Sequence, residues 1–219
     1  MRALFRIFVL PTVAILAVAC GSGSDDGTDQ PNANSEDELA RSLLLTVDDF
    51  PTGWAESLDD SEEDGGEDPF AKCQGLAEAE GMTGRAKSGT FSRGGVAEVE
   101  HGVVIYEDDR KASSALKMLS EAVTCNAKVI NDGGLNNSEA RFRDAKVARM
   151  SFSMMGDEVS AMRISFKGFD KTSSYDFYVD YVVVRKGRIV SGVVAFDALS
   201  PFDTSDLEAL MQKAVAKLP

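Results

Sequence analysis

Apolar positions along this chain change period several times, and each change predicts an element. Ile7 to Ala19 is a continuous apolar run broken by Thr12, too short to span a bilayer as a helix. Gly21 to Asn34 has no apolar period and is rich in Gly, Ser, Asp and Asn, the composition of a flexible spacer. Ser35 and Glu38 then make a capping-box pattern ahead of Leu39, Ala40, Leu43 and Leu44, predicting a short helix that ends near Leu45. Thr46 caps a single turn punctuated by Pro51 and Gly53. Trp54, the sole tryptophan, has an apolar face expected to pin this turn to the core rather than to stack on a ligand.

Phe70 to Gly81 predicts a short helix bearing Cys73, after which the period falls to two. Ser88 to Ser92 and Val96 to Tyr106 read as strands joined by a tight turn at Arg93-Gly94-Gly95. In the second strand Ala97, Val99, His101, Val103 and Ile105 share one face, opposed by Glu98 and Glu100. His101 therefore sits in an apolar row, as a hydrogen-bonded core or edge residue rather than a catalyst. Asp108 or Asp109 caps the next helix, whose Ala112, Ala115, Leu116, Leu119, Ala122 and Val123 keep a 3.6-residue period. Cys125 falls on that same stripe, and Asn131 to Asn137 forms a loop.

From Lys146 to Asp197 the pattern is almost continuous strand. Ala148, Met150, Phe152 and Met154 alternate, as do Met162, Ile164, Phe166 and Gly168, then Tyr175, Phe177, Val179, Tyr181 and Val183, with a last strand over Ile189 to Phe196. Connections this short require antiparallel neighbours, because a parallel crossover needs a dozen residues or more. A terminal helix follows, with Ser205 and Glu208 as capping box and Leu207, Leu210, Met211, Ala214, Val215 and Leu218 as its stripe. The predicted fold is two-layer α+β, about six antiparallel strands with helices packed on one face. The expected division is a leader over 1–19, a linker over 20–34 and a single folded domain over 35–219.

Charge and cysteine content change the picture of where such a domain works. Arg2 and Arg6 precede the first apolar run with no acid, and Ala17 and Ala19 lead into Cys20. This resembles the signal peptide and lipobox of bacterial lipoproteins, which implies a diacylglycerol on Cys20 and a chain held at the outer face of a cell membrane. An ordinary signal peptide with Cys20 incidental is the alternative. The formal charge is −13, and removal of residues 1–19 takes it to −15 because only Arg2 and Arg6 are lost. That balance excludes nucleic acid as a partner and argues against a polybasic hold on anionic lipid. Cys73 and Cys125 remain as an even pair in an oxidising compartment, where a disulfide is expected in preference to two free buried thiols. A metal site is disfavoured, since His101 is the only histidine and no CxxC spacing occurs.

Candidate chemistry is sparse. Seven carboxylates between Asp59 and Asp68 flank Gly65-Gly66 without calcium-loop spacing, so a solvated acidic loop is the default and weak cation binding the alternative. No G-x-S-x-G or H-E-x-x-H motif is present, and no cofactor is implied. Asp176 and Asp180 are the one carboxylate pair worth considering as acid and base, but they lie on the face expected to meet solvent, where both stay ionised.

Four stretches together resemble actinobacterial cell-envelope lipoproteins related to the extracellular sensor domain of PknH-type kinases. They are Leu44 to Trp54, the helix from Ala115-Leu116 to Cys125, Gly156-Asp157-Glu158, and Val182 to Arg188. The resemblance implies a ligand-sensing or partner-binding module and brings no catalytic residue. Three functions follow as expectations: a non-catalytic binding or sensing module for a small molecule or envelope protein, a carrier of an apolar ligand such as a lipid, and an envelope hydrolase as the least favoured. The carrier requires a large cavity, which Met118, Met150, Met154, Met155, Met162 and Met211 would line.

Overall fold

Short connections force sequential strands to pair antiparallel, and this governs the whole sheet. The computed structural model describes residues 33–57, 69–74 and 80–219. In chain order these form α1 (Ala33–Ser42), a 3-10 turn (Val47–Asp49), β1 (Ala55–Ser57), α2 (Ala71–Gln74), β2 (Met82–Lys87), β3 (Thr90–Arg93), β4 (Ala97–Tyr106), α3 (Asp109–Asn131), β5 (Arg141–Arg149), β6 (Glu158–Phe169), β7 (Ser174–Lys186), β8 (Ile189–Asp197) and α4 (Thr204–Lys217). The strands make one sheet in the order β1-β3-β4-β8-β7-β6-β5, with β2 in line with β3 along the same edge of β4. Cys20 and the acidic loop lie outside the described residues.

The fold is α+β on an antiparallel sheet, as the pattern predicts, but its sheet has eight strands rather than about six. β1 and β2 are the additions. Both are short; β1 is fully exposed, and β2 alternates only through the small residues Gly84 and Ala86.

The expectation of helices on one face is overturned. Along β7, Val179, Tyr181 and Val183 pack with Leu116, Leu119 and Val123 of α3, whereas Val182 and Val184 pack with Leu207, Leu210 and Met211 of α4. Successive strand residues point to opposite faces, so α3 and α4 cover opposite sides and the sheet is the middle of three layers. α1 joins the α4 side, where Ala40 and Leu43 meet Val103 and Ile105 of β4. The unbroken apolar run Tyr181 to Val184 is the mark of a strand buried on both faces.

Beneath α3 the core is aromatic. Phe166 and Phe177 stack at 5.3 Å and Phe177 and Phe196 at 6.0 Å, with Phe142 edge-on to Phe177 at 5.9 Å. Gly168 makes this packing possible, because a Cβ there would lie 2.4 Å from Cε2 of Phe177. Across the sheet, α1 rests directly on Gly84, where a Cβ would come 2.6 Å from the Glu36 carbonyl carbon. The Glu36 carboxylate accepts from Arg188 at 2.7 and 3.1 Å and from the Thr83 hydroxyl. The Arg188 guanidinium, and after it Thr83, hold Glu36 below the usual carboxylate range.

Local capping follows the predicted chemistry in places and departs from it in others. Asp108 caps α3 by accepting from Lys111 N–H at 2.9 Å, and Thr46 N–H donates to Asp49 at 2.8 Å in the 3-10 turn. α1 begins at Ala33, ahead of Ser35. α4 is capped by Asp203, not Ser205, and Glu208 instead accepts from Ser153 N–H at 2.7 Å. The strand expected through Met154 is shifted: β5 starts at Arg141 and ends at Arg149, with a bulge around Asp144, whose φ is 61°. Alternating charge at Arg141 and Arg143 hides its first half, and the bulge breaks the period that would reveal it.

Candidate functional site

The path of α3 across the sheet determines where the surface stays open. Its first turns lie over β4, where Ala112 and Ala115 pack on Val104 and Tyr106. Its last residue clasps β5: Asn131 Nδ2 donates to the Ala145 carbonyl at 3.0 Å, and Ala145 N–H donates back to Asn131 Oδ1 at 2.8 Å. Between these ends the middle of the helix and the end of β5 wall a cleft of about 500 Å³, lined by Ser120, Glu121, Thr124, Val147, Arg149 and Met162. Met162 is its buried floor, and Glu121 and Arg149 stand exposed at its rim.

The polar groups of the cleft differ in how committed they are. Ser120 Oγ donates to the Lys117 carbonyl at 3.0 Å and Thr124 Oγ1 to the Ser120 carbonyl at 2.8 Å, so both hydroxyls keep only acceptor capacity. Arg149 makes no hydrogen bond or ion pair with the described residues. The cleft thus offers an apolar floor, two hydroxyl acceptors, one uncommitted guanidinium and, across the rim, the Glu121 carboxylate.

Apart from Met162, the residues singled out by sequence fall elsewhere. Cys73 and Cys125 are bridged, with Cα atoms 5.6 Å apart, tying α2 to the second half of α3. His101 is 1% exposed. Leu45 N–H donates to its Nδ1 at 3.0 Å, which puts the proton on Nε2, facing Ser191 Oγ at 2.8 Å. Burial, and secondarily the Lys217 ammonium, push its pKa down to about 4, against the pull of Asp49. Trp54 is half-buried against Phe50 at 5.1 Å and Phe202 at 6.2 Å, with the Arg93 guanidinium 5.0 Å above its ring.

Asp176 and Asp180 do not form a common site. Asp176 is exposed and paired with Lys167 at 2.9 Å. Asp180 lies under the α4 side of the sheet at 1% exposure, contrary to its expected solvent position. It accepts from Arg163 Nε at 2.5 Å and Nη2 at 2.7 Å, while Nη2 also donates to the Phe202 carbonyl at 2.9 Å. Burial raises the Asp180 carboxyl, and the guanidinium opposes that rise.

A second depression, of about 50 Å³, lies where Gly102 and Gly192 face each other across β4 and β8 beside Glu100 and Lys87. It has room for little more than a water molecule or two. Lys87 pairs with Glu100 at 3.3 Å, and neighbouring Glu98 is raised by burial and then by the Glu100 charge. Among the described residues no group of three or more His, Cys, Asp or Glu side chains is placed to hold a metal ion.

Sequence reasoning missed the cleft. Ser120 and Thr124 were legible as the polar side of α3, one helical turn apart, but the wall formed by Val147 and Arg149 depends on the placement of β5, which the bulge concealed.

No protein-family model matches the sequence, and no curated protein matches it. Two solved structures resemble the chain at low identity. One is the extracellular domain of PknH from Mycobacterium tuberculosis, at 13% identity and TM-score 0.41, covering 83% of this chain and 95% of that one. The other is an uncharacterized protein, an Rv0999 ortholog, from Mycobacterium smegmatis, at 12% identity and TM-score 0.40, covering 83% of this chain and 97% of that one.

Proposed function

We propose that this chain is an exported, membrane-tethered, non-catalytic binding or sensing module whose site is the cleft between α3 and β5. The observation that carries this reading is the uncommitted Arg149 beside an apolar floor in an open cleft of about 500 Å³, within the size range of ligand sites. Elsewhere the groups best suited to chemistry are held in structural contacts, His101 by Leu45 and Ser191 and Asp180 by Arg163. Export is supported by the Cys73–Cys125 bridge, which belongs to an oxidising compartment. Among the described residues no helix is long and apolar enough to cross a membrane, and tethering is assigned to a lipid on Cys20. The methionines favour surface binding over an internal lipid cavity: Met155, Met162 and Met211 fill packed clusters, and Met154 is 72% exposed.

The experiment is native mass spectrometry of the mature chain purified gently from membranes, with and without reduction. The expected result is an acylated mass that disappears in Cys20→Ala, a two-dalton shift on reduction, and a co-purified ligand or partner lost in Thr124→Trp, which fills the cleft. An unlipidated chain removes the tether, and a bound species indifferent to Thr124→Trp removes the cleft from the reading.

A further inference from the structure

β5 is the last strand of the sheet, and the described residues cover its outer edge along only part of its length. Phe142 N–H donates to Asn136 Oδ1 at 2.6 Å, and both backbone groups of Ala145 are occupied by the Asn131 amide. Two asparagine side chains therefore stand in for a neighbouring strand over the first half of β5, a device that protects an edge from adventitious pairing. Beyond the bulge no described residue continues this protection.

The direction of the remaining backbone groups follows from one bond. Met150 N–H donates inward to the Ala161 carbonyl at 2.9 Å, in regular register with Arg149 opposite Met162 and Val147 opposite Ile164. Backbone groups alternate along an antiparallel strand. Val147 and Arg149 therefore direct N–H and C=O outward, and neither N–H has an acceptor among the described residues. Their side chains line the cleft against α3. An exposed pair of donors and acceptors at a strand edge, with a helix forming the opposite wall, is the geometry of peptide recognition by strand addition.

We infer that the cleft binds an extended peptide segment of a partner protein, which adds to β5 as an antiparallel strand against Val147 and Arg149. This rests on the reading of the cleft as the binding site and names its occupant. Directly opposed residues in an antiparallel pair share a face. The peptide residues opposite Val147 and Arg149 therefore direct their side chains into the cleft. The one opposite Arg149 meets the unpaired guanidinium and is a carboxylate. The one opposite Val147 meets the Val147 side chain and is apolar. Because the strands run in opposite directions, the carboxylate precedes the apolar residue by two positions. A small molecule would use the side chains of the cleft but leave the two outward N–H groups unpaired.

The probe is a fluorescent, end-blocked, threonine-rich peptide with glutamate two positions before valine, titrated into the full mature chain. Its partner is the same peptide N-methylated at that glutamate and that valine, which keeps both side chains and removes the two amides facing β5. The protein variant is Val147→Pro, which deletes one outward N–H at an edge position where proline is accommodated; its melting temperature monitors folding. The expected result is binding of the parent peptide, at least tenfold weaker binding of the N-methylated form and of Val147→Pro, and slowed hydrogen exchange at the Val147 and Arg149 amides in the parent complex. Equal binding of the two peptides, or binding without protection of those amides, overturns strand addition and leaves the cleft as a site for another ligand. No binding of the parent peptide while Thr124→Trp still releases a co-purified species likewise overturns the peptide assignment alone. No binding together with indifference to Thr124→Trp overturns both.

Discussion

The backbone N–H of Leu45 donates to Nδ1 of His101 across 56 positions of sequence, at 3.0 Å and out of contact with solvent. This bond joins the segment after α1 to the centre of β4 and decides the state of the only histidine. With Nδ1 accepting and Nε2 turned to Ser191, the ring is complete as a neutral donor and acceptor. A second proton would displace Leu45 and place a charge in the core.

Acidification is therefore expected to loosen this junction. Burial lowers the His101 pKa from 6.5 to about 4, so between these values the unfolded chain binds a proton that the folded chain refuses. The stability this group provides is complete above pH 6.5 and is lost as pH falls toward 4, approaching about 3 kcal/mol by linkage. His101→Gln keeps an acceptor and a donor without titrating. Urea midpoints of the two proteins across pH 4 to 7 should converge on acidification, with wild type falling more steeply; parallel curves would show that the ring does not control the transition.

The Arg163–Asp180 pair makes a different prediction, because it holds a loop as well as a strand. Arg163 binds Asp180 with two nitrogens and the Phe202 carbonyl with one of them, fixing the approach to α4. Asp180→Ala leaves a guanidinium beneath α4 without its counter-ion, which costs about 3–5 kcal/mol. The double variant Arg163→Met with Asp180→Leu removes both charges and should recover most of that loss. Chemical denaturation of both variants measures it, and a double variant as unstable as the single one would assign the effect to packing.

The same pair shows why some of the fold was legible in sequence and some was not. Period-two alternation located β4, β6, β7 and β8, and 3.6-residue stripes located α3 and α4, because each of these elements buries a distinct face. Alternation also placed Asp180 opposite Val179 and Tyr181, correctly, but read that side as solvent. Only the packing of α4 and Phe202 over it makes it interior. β5 was misplaced because the Asp144 bulge shifts its register, and with it went the wall of the cleft. Candidate chemistry built from long-range neighbours, such as Arg149 beside Thr124, has no signature in local spacing.

Gly84→Ala tests the seating of α1 on the sheet. The added Cβ would lie 2.6 Å from the Glu36 carbonyl carbon and 2.8 Å from its oxygen, backbone atoms that yield only if the helix moves. Moving it stretches the Glu36–Arg188 bonds and the Asp37 carboxylate's bond from Arg85 N–H. Overpacking of this kind costs about 1–3 kcal/mol, and the effect should be local. Hydrogen exchange is expected to accelerate in α1 and β2 while the amides of β6 and β7 remain protected; uniform acceleration would mean that α1 is integral to global folding.

Loss of the Cys73–Cys125 bridge is expected to act on the whole domain, although its structural role is confined to one end of one layer. The bond closes a loop with a sequence separation of 52, and its main effect is to restrict the unfolded chain, so replacing both cysteines with serine should lower stability by about 2–5 kcal/mol. The folded contacts of α3 do not depend on it, since Leu116, Leu119 and Val123 keep their seat on β6 and β7. The double-serine variant should therefore retain α3 and the cleft at low temperature while melting earlier. Far-ultraviolet circular dichroism gives the melting curve, and binding of the strand-addition peptide reports the cleft. Loss of peptide binding well below the melting temperature would show that the bridge positions α3 in the native state, and that the wall carrying Ser120 and Thr124 is held in place by the α2 clamp rather than by its own apolar stripe.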